Sequence, residues 1–347
     1  MPGQRLSISI PIYNFAKFIP ETLDSIFANE GIEDVEVIVV DGASTDNTPE
    51  AMAPYLAAHP NLQYVRLPQK GGIDRDMAHC VEPATGDYVW LFSGDDWMLP
   101  GAILKVKKRI ESGLDLYLCQ HQETLVDKSL SAWPVMADGK EATWTLSDPE
   151  QRKSYFAGAV NTEAFYSFMG SLIVKRATWN SMPLDERFVG TCFAHSARLM
   201  ALMPKGLTVQ FIPETWLRRR PDNDSFMGGG MVKRFAIGIE GFRKISDALF
   251  GHDSIEAFHV RRAVRAEFGL WMLVYGKYMT WLNPETESRE LMDRLVKTAY
   301  CEPTWDNLKV RLKYRLTSIR KFRDSHKEIC AKHEGERRER LARAKTA

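Results

Sequence analysis

The chain has 347 residues, 44% of them hydrophobic and 26% charged, with a net charge of +1, the make-up of a soluble globular protein with room for one large domain or two moderate ones. Its five cysteines, Cys80, Cys119, Cys192, Cys301 and Cys330, are odd in number and hold no Cys-x-x-Cys pair, which argues against a disulfide framework or zinc finger and fits a reducing cytoplasm. The small net charge conceals a polarity: residues 308–347 hold 14 Lys and Arg against 5 Asp and Glu, leaving 32 basic against 40 acidic residues elsewhere.

The amino terminus runs straight into LSISIPI (6–12), without the basic start and apolar middle of a secretory leader. That segment, VEVIVV (35–40), LQYVRL (62–67), YVWLF (88–92) and LDLYLC (114–119) are short runs rich in β-branched and aromatic residues, and predict five strands. Helices are expected between them. Ile19, Leu23, Ile26 and Phe27 share one helical face, and Thr48-Pro49 is a cap followed by the residue favoured at a first helical position. Strand and helix in alternation imply parallel pairing with right-handed crossovers, an open α/β sheet. Ligands bind such sheets at the carboxyl ends of the strands.

Residues 120 to 165 lose periodicity and are expected to form polar loops or a short hairpin on the acceptor side. Residues 166 to 217 recover it, predicting a further helix and strand layer. Beyond Met231 the pattern is helical: KRFAIGIEGFRKISDALF, IEAFHVRRAVRAEFGLWMLVYGKYMTWL, ESRELMDRLVKTAY, then the basic tail. The greasiest stretch, FGLWMLVYG (268–276), falls well short of the roughly 18 apolar residues that span a bilayer. The tail reads either as a solvated basic helix or as a surface for anionic lipid head groups.

Three strand ends carry unusual chemistry: Pro11-Ile12-Tyr13-Asn14, Asp41-Gly42-Ala43-Ser44 and Ser93-Gly94-Asp95-Asp96. Asp41 either closes an Asx-turn within its own loop or accepts from a nucleotide base or ribose. Asp95 and Asp96 repel one another and resist burial unless neutralised. They suit either a solvated helix start or a divalent cation, Mn2+ or Mg2+, which binds one or two carboxylates plus diphosphate oxygens. Gly94 is expected to let the backbone approach a ligand.

Taken in order, PIYN, VVDGASTDNT, KGGIDRDM and LFSGDD resemble the nucleotide-sugar-binding half of family 2 glycosyltransferases, over residues 5 to 112. The resemblance implies a GT-A fold: a mostly parallel α/β sheet with helices on both faces over 1–227, with an acceptor half over 113–227 and a helical region over 228–347. It implies donor-nucleotide contacts from Pro11, Tyr13, Asn14, Asp41, Ser44, Lys70, Asp74, Asp76 and Asp95, and metal ligation by Asp95 and Asp96. Within the family, the nearest pattern is that of abequosyltransferases and similar O-antigen sugar transferases.

Two departures stand out: Ser93 occupies an acidic position of the family's Asp-rich motif, and the A-R-N usual after the glycine-rich loop is absent. Ala194-His195 replaces the Glu-Asp pair whose aspartate is the family's base. His195 can serve as base near neutral pH or sit inertly in the core, with Asp185 as substitute. In the family a basic loop at this place closes over the diphosphate, which implies diphosphate contacts from Arg218 and Arg220, whose guanidinium geometry suits phosphate; a solvated cluster is the alternative.

The activity implied is metal-assisted, inverting transfer of a sugar from a nucleoside diphosphate to a saccharide hydroxyl, lipid-linked, in surface polysaccharide assembly. The partners implied are the sugar nucleotide, that acceptor and, through the basic tail, the inner face of the cell membrane. No nucleic acid is expected, and oligomerisation is left open. A nucleotidyltransferase, or an inactive sugar-nucleotide-binding or scaffold protein, is the alternative. A nucleotidyltransferase would carry a basic glycine-rich loop directly after the first strand, which PIYNFAKF is not.

Overall fold

A computed structural model describes residues 5–124, 129–221, 223, 225–319, 323–332 and 335. Two units are present, one comprising Met1–Pro221 and Ala248–His259, the other Asp222–Asp247 and Val260–Ala347.

The first unit begins with β1 (Leu6–Ile12), α1 (Ile19–Phe27), β2 (Glu36–Asp41), α2 (Thr48–Ala58), β3 (Leu62–Arg66), α3 (Ile73–His79) and β4 (Tyr88–Leu91). Although β1 alternates apolar with small residues, all seven of its side chains are buried. Helices cover both faces, and the polar face survives burial through hydrogen bonds such as Ser7 Oγ donating to Glu36 (2.7 Å). In α1, Ile19, Leu23 and Ile26 are buried at the spacing that puts them on one face. The chain continues through β5 (Trp97–Met98), α4 (Ala102–Ile110), β6 (Leu116–Thr124), β7 (Leu130–Ala132), β8 (Ala142–Thr145), α5 (Pro149–Gly158), β9 (Leu172–Lys175), α6 (Arg176–Asn180), α7 (Ala194–Leu202) and β10 (Thr208–Arg218).

These strands form a single sheet in the order β3-β2-β1-β4-β9-β6-β10-β5, with β7 on β6 and β8 on β10. The first four pair in parallel. The expectation that the fifth predicted strand extends this parallel run is corrected: β9 intervenes, antiparallel to both β4 and β6. Two reversals restore the direction, and β10 runs parallel to β6. Hence β1, β2, β4, β6 and β10 all end at one edge. β5 pairs antiparallel with the end of β10, so the loop between β4 and β5 crosses that edge past the ends of β9 and β6. Beneath it lies an aromatic floor in which Trp90 meets Trp216 edge-on at 6.2 Å and donates its indole N–H to the Gly170 carbonyl (2.8 Å).

The second unit is helical, drawing on α8 (Met231–Phe250), α9 (Ile255–Glu267), α10 (Leu270–Leu282), α11 (Arg289–Ala299) and α12 (Trp305–Leu316). The single long helical pattern read over 255–282 breaks at Phe268-Gly269. Gly238 and Gly276 pack against the rings of Phe268 and Phe235, where an added Cβ would approach to 2.7 Å. The Glu287 carboxylate accepts from the N–H groups of Met231 and Val232 (2.7 and 2.9 Å), satisfying two amides at the start of α8. No helix among the described residues is long and apolar enough to cross a membrane.

Candidate active site

The ends of β1 and β2 are tied into one cradle. Asp41 is fully buried; its Oδ1 accepts from the Ser44 N–H (2.8 Å) and hydroxyl (2.6 Å), and its Oδ2 accepts from the Tyr64 hydroxyl. The turn reading is thus realised, and its carboxylate sets the shape of the 41–44 loop. Ser44 Oγ accepts the Asn14 N–H (2.8 Å), while the Asn14 side-chain carbonyl accepts from the Thr45 N–H (2.7 Å). Asn14 and Ala43 both adopt positive φ, 58° and 63°, a conformation that costs a residue bearing Cβ about 1–2 kcal/mol. Such strain concentrates at binding loops. Pro11 is buried in β1 opposite Val40. Lys70 Nζ lies 3.6 Å from the Tyr13 ring centre, and Asp76 accepts from Gly71 N–H (3.0 Å) while packing so tightly on Gly42 that a Cβ there would sit 2.6 Å from its carboxylate. Burial raises the Asp76 pKa above the usual carboxylate range.

Asp74 does something else. Its carboxylate accepts from the N–H groups of Gly190 (2.8 Å), Cys192 (3.1 Å) and Ala194 (2.9 Å), and Arg75 grips Glu186 through two 2.7 Å bonds. The sequence reading put Asp74 on the nucleotide; the structure engages it with three amides of the loop entering α7. The departure at KGGIDRDM is therefore a loop anchor.

The crossing loop carries the second cluster. Ser93 hydroxyl donates to Asp95 Oδ1, so the residue replacing a family acid fixes the acid two positions on. Gly94 is needed for packing against the protein itself: a Cβ there would lie 2.5 Å from Ile12 and 3.0 Å from the Phe15 ring. Asp96 is almost wholly buried, and desolvation together with the Asp95 charge pushes its pKa up to about 8. Its Oδ1 accepts the Arg220 N–H (2.9 Å), whereas its buried Oδ2 accepts nothing from the described residues.

Arg220 is a strut. Its guanidinium donates to the Asp95 carbonyl (2.7 Å) and to Glu21 (2.7 Å) and covers Trp97 at 4.0 Å. Arg218 covers the same indole at 4.5 Å, and its buried Nε has no hydrogen-bond partner among the described residues. The unpaired carboxylate oxygen thus belongs to the residue preceding Trp97 and the unpaired guanidinium nitrogen to the residue that pairs with Trp97 in the β5–β10 ladder. Among the described residues no three His, Cys, Asp or Glu side chains converge to hold a metal. One or two carboxylates suffice for Mg2+ or Mn2+ that takes its remaining ligands from diphosphate and water, so the orphaned Asp96 oxygen fits such an ion.

A third cluster lies within residues 120 to 165, expected to be loops. β6 instead runs to Thr124, and its period-2 alternation carries past Cys119 to His121 and Glu123; apolarity fades there, so composition alone ends the strand at Cys119. His121 is fully enclosed, with Nε2 3.4 Å from Glu123 and Nδ1 3.4 Å from Glu163, and Glu123 is paired with Arg219 at 2.5 Å. Burial acts to lower the His121 pKa, but the two glutamates outweigh it and raise it to about 9. The charges of Arg219 and His121 are felt at Asp96, so this cluster adjoins the crossing loop.

Each expected base is held by its own neighbours. His195 is buried in α7 with Nε2 donating to the Tyr166 carbonyl (2.9 Å), and desolvation holds its pKa down to about 4. Asp185 caps a short turn through the Arg187 N–H (3.0 Å) and pairs with the Arg187 side chain at 2.6 Å.

Comparison with known proteins now bears on this edge. Residues 7–170, which hold β1 through the 3-10 turn before β9, match the model of glycosyl transferase family 2. Over that segment the chain is similar to that family. This glycosyltransferase is 28% identical to abequosyltransferase RfbV of Salmonella typhimurium over 256 residues, 71% of this chain and 75% of that protein. Its fold is similar to that of S. aureus TarS 1-349 in complex with UDP, with a TM-score of 0.55 at 15% identity over 96% of this chain and 92% of that one. It is also similar to the mannosyltransferase PcManGT from Pyrobaculum calidifontis in complex with GDP-Man and Mn2+, with a TM-score of 0.50 at 19% identity over 95% and 84%. Identities this low establish shared architecture alone. The fold is the GT-A fold that the motif order implied.

Proposed function

We propose that this glycosyltransferase moves a sugar from a nucleoside diphosphate to a hydroxyl of a saccharide acceptor carried on a lipid, in the assembly of a surface polysaccharide. The observation that carries the reading is the pair of unpaired buried atoms, Asp96 Oδ2 and Arg218 Nε, at the strand edge where α/β proteins bind ligands. The relatives named above include an abequosyltransferase and proteins solved with UDP or with GDP-Man and Mn2+, which supports a sugar nucleotide as donor.

On this reading the cradle of Pro11, Tyr13, Asn14, Asp41, Ser44, Lys70 and Asp76 receives the nucleoside. Asp95 and Asp96 would hold Mn2+ or Mg2+, which when bound offsets charge on the departing diphosphate. Arg218 faces the diphosphate, and Arg220 braces the loop that presents Asp95 and Asp96. For the base we place Glu163 ahead of His195 and Asp185, because its buried Oε2 has, among the described residues, only the ion pair with His121 Nδ1, at 3.4 Å and outside hydrogen-bond geometry, in the cluster next to Asp96. Glu163 would take the acceptor proton as the acceptor oxygen bonds the anomeric carbon. The bond from that carbon to the diphosphate oxygen breaks as the new one forms, and its electron pair leaves with the nucleotide. One displacement of this kind inverts the anomeric centre.

We place the protein on the inner face of the cell membrane, where a lipid-linked acceptor is met, with the basic residues 308–347 toward anionic head groups. Much of that tail lies outside the described residues.

A thermal-shift panel of UDP-, GDP-, CDP- and dTDP-sugars with and without Mn2+ tests the donor reading. One nucleotide is expected to raise the melting temperature, more strongly with Mn2+. No shift with any of them, at concentrations that saturate ordinary sugar-nucleotide sites, would remove the proposed donor site.

A further inference from the structure

The helix α12 reads WDNLKVRLKYRL, with Asn307 and Tyr314 buried against the rest of its unit. The opposite face is not covered. Trp305 is 78% exposed and Leu312 57%, with Leu308 and Leu316 exposed beside them and Ile319 following the helix end. At 3.6 residues per turn, Trp305, Leu308, Leu312 and Leu316 fall within an arc of about 80°. Lys309 and Lys313 border this stripe on one side, and Arg311 and Arg315 on the other. Among the described residues only Lys309 of these four cations engages a carboxylate, held loosely to Asp306 at 3.7 Å. Next to the stripe an apolar groove of about 350 Å³, lined by Leu270, Trp271, Val274 and Leu316 with Lys313 at its rim, carries the apolar surface on to Trp271, itself half exposed.

A solvated basic helix has no need of four large apolar side chains in one exposed row, and such a row seeks cover. Two kinds of cover fit an apolar row: a second copy of the chain, or a membrane. The charges decide between them. A second copy laid stripe to stripe would bring its own Lys and Arg borders against these, like charge against like. An anionic bilayer takes apolar side chains to the acyl boundary and cations to the head groups at once, with tryptophans at the interface between them.

We propose that α12 is an in-plane membrane anchor, with Trp305, Leu308, Leu312 and Leu316 inserted at the acyl boundary of an anionic bilayer and Lys309, Arg311, Lys313 and Arg315 on its head groups. The proposal rests on the peripheral placement above and sharpens it, because it moves the principal contact from the charge of the tail to the shape of a folded helix. Electrostatic attraction alone would be erased by salt, whereas apolar insertion persists.

The test is co-sedimentation of the full chain with vesicles of phosphatidylcholine containing phosphatidylglycerol, and with phosphatidylcholine alone. Binding is expected to the anionic vesicles and to survive in part at high salt. The double variant Leu308→Glu/Leu312→Glu alters only exposed positions, so its melting temperature should match wild type while its vesicle affinity falls at least about tenfold, from the apolar area lost. A second full-length variant with Arg337, Arg338, Arg340 and Arg343 changed to Gln should retain most of the binding. If the leucine variant binds as wild type and the arginine variant does not, the α12 anchor is overturned while peripheral placement stands. If wild type ignores both vesicle types, both fall. If the leucine change instead converts a dimer into a monomer in size-exclusion chromatography without altering sedimentation, the stripe is a self-association face.

Discussion

Asp96 concentrates the chemistry of the crossing loop. A carboxyl group buried beside another carboxylate gains from any cation that replaces the missing water. Asp96→Ala is therefore expected to abolish the Mn2+-dependent part of nucleotide stabilisation. In wild type that stabilisation is about 2.7 kcal/mol at a hundredfold excess over Kd, and thermal shift with the matching nucleoside diphosphate reads the loss. Equal Mn2+ dependence in the variant would take the metal away from this residue. Glu163→Gln separates chemistry from binding. Transfer to a saccharide acceptor should drop by roughly 10²–10⁴-fold, the span of general base catalysis, with donor binding unchanged. A smaller loss, or a parallel loss of donor affinity, would return Glu163 to a structural role.

At the scale of elements, the site depends on how closely the loop from β4 to β5 rides over the end of β1. An added methyl at Gly94 would meet Ile12 and Phe15 well inside contact distance. Gly94→Ala should then cost about 1–3 kcal/mol through overpacking, seen as a lower urea midpoint at unchanged m. A variant as stable as wild type would show that the loop yields. The motif residues were legible because each marks the end of a strand, and strands β1 to β4 announce themselves by composition. What the loops do with those residues was not legible. Asp74 occupies a motif position yet serves a loop 116 residues away through the Gly190 N–H, a partner that no local spacing reveals. His121 and Glu123 were hidden for a different reason: the strand bearing them turns polar where it enters the site, and a strand read from apolarity ends too early.

For the molecule as a whole, two buried histidines give stability opposite dependences on pH. His121 has a folded pKa raised to about 9 above an unfolded value near ~6.5, so its folded form binds the extra proton. Its contribution is complete below pH ~6.5 and is lost as pH rises toward 9. His195, depressed to about 4, contributes fully above pH ~6.5 and loses its contribution as pH falls toward 4. Asp96, raised to about 8, adds a term of the same sign as His121, lost as pH rises from ~4 toward 8 and opposed to that of His195. Relative to wild type, His121→Gln should lessen the fall in melting temperature between pH ~6.5 and ~9, and His195→Gln should raise the melting temperature at pH ~4 relative to pH ~6.5; a variant whose profile parallels wild type over its own window would refute that assignment. The class of fold, the order of the nucleotide-side motifs and the helical character of the carboxyl-terminal region can be read from residues alone, because strand composition, helical period and turn residues are local properties. Three facts emerge only once the chain is folded: which motif carboxylates are consumed by backbone amides, that a glutamate and a histidine from separate segments share one buried cluster, and that α12 leaves an apolar stripe uncovered. Those facts depend on which distant segments meet, and a pairing in space leaves no periodic mark on either partner.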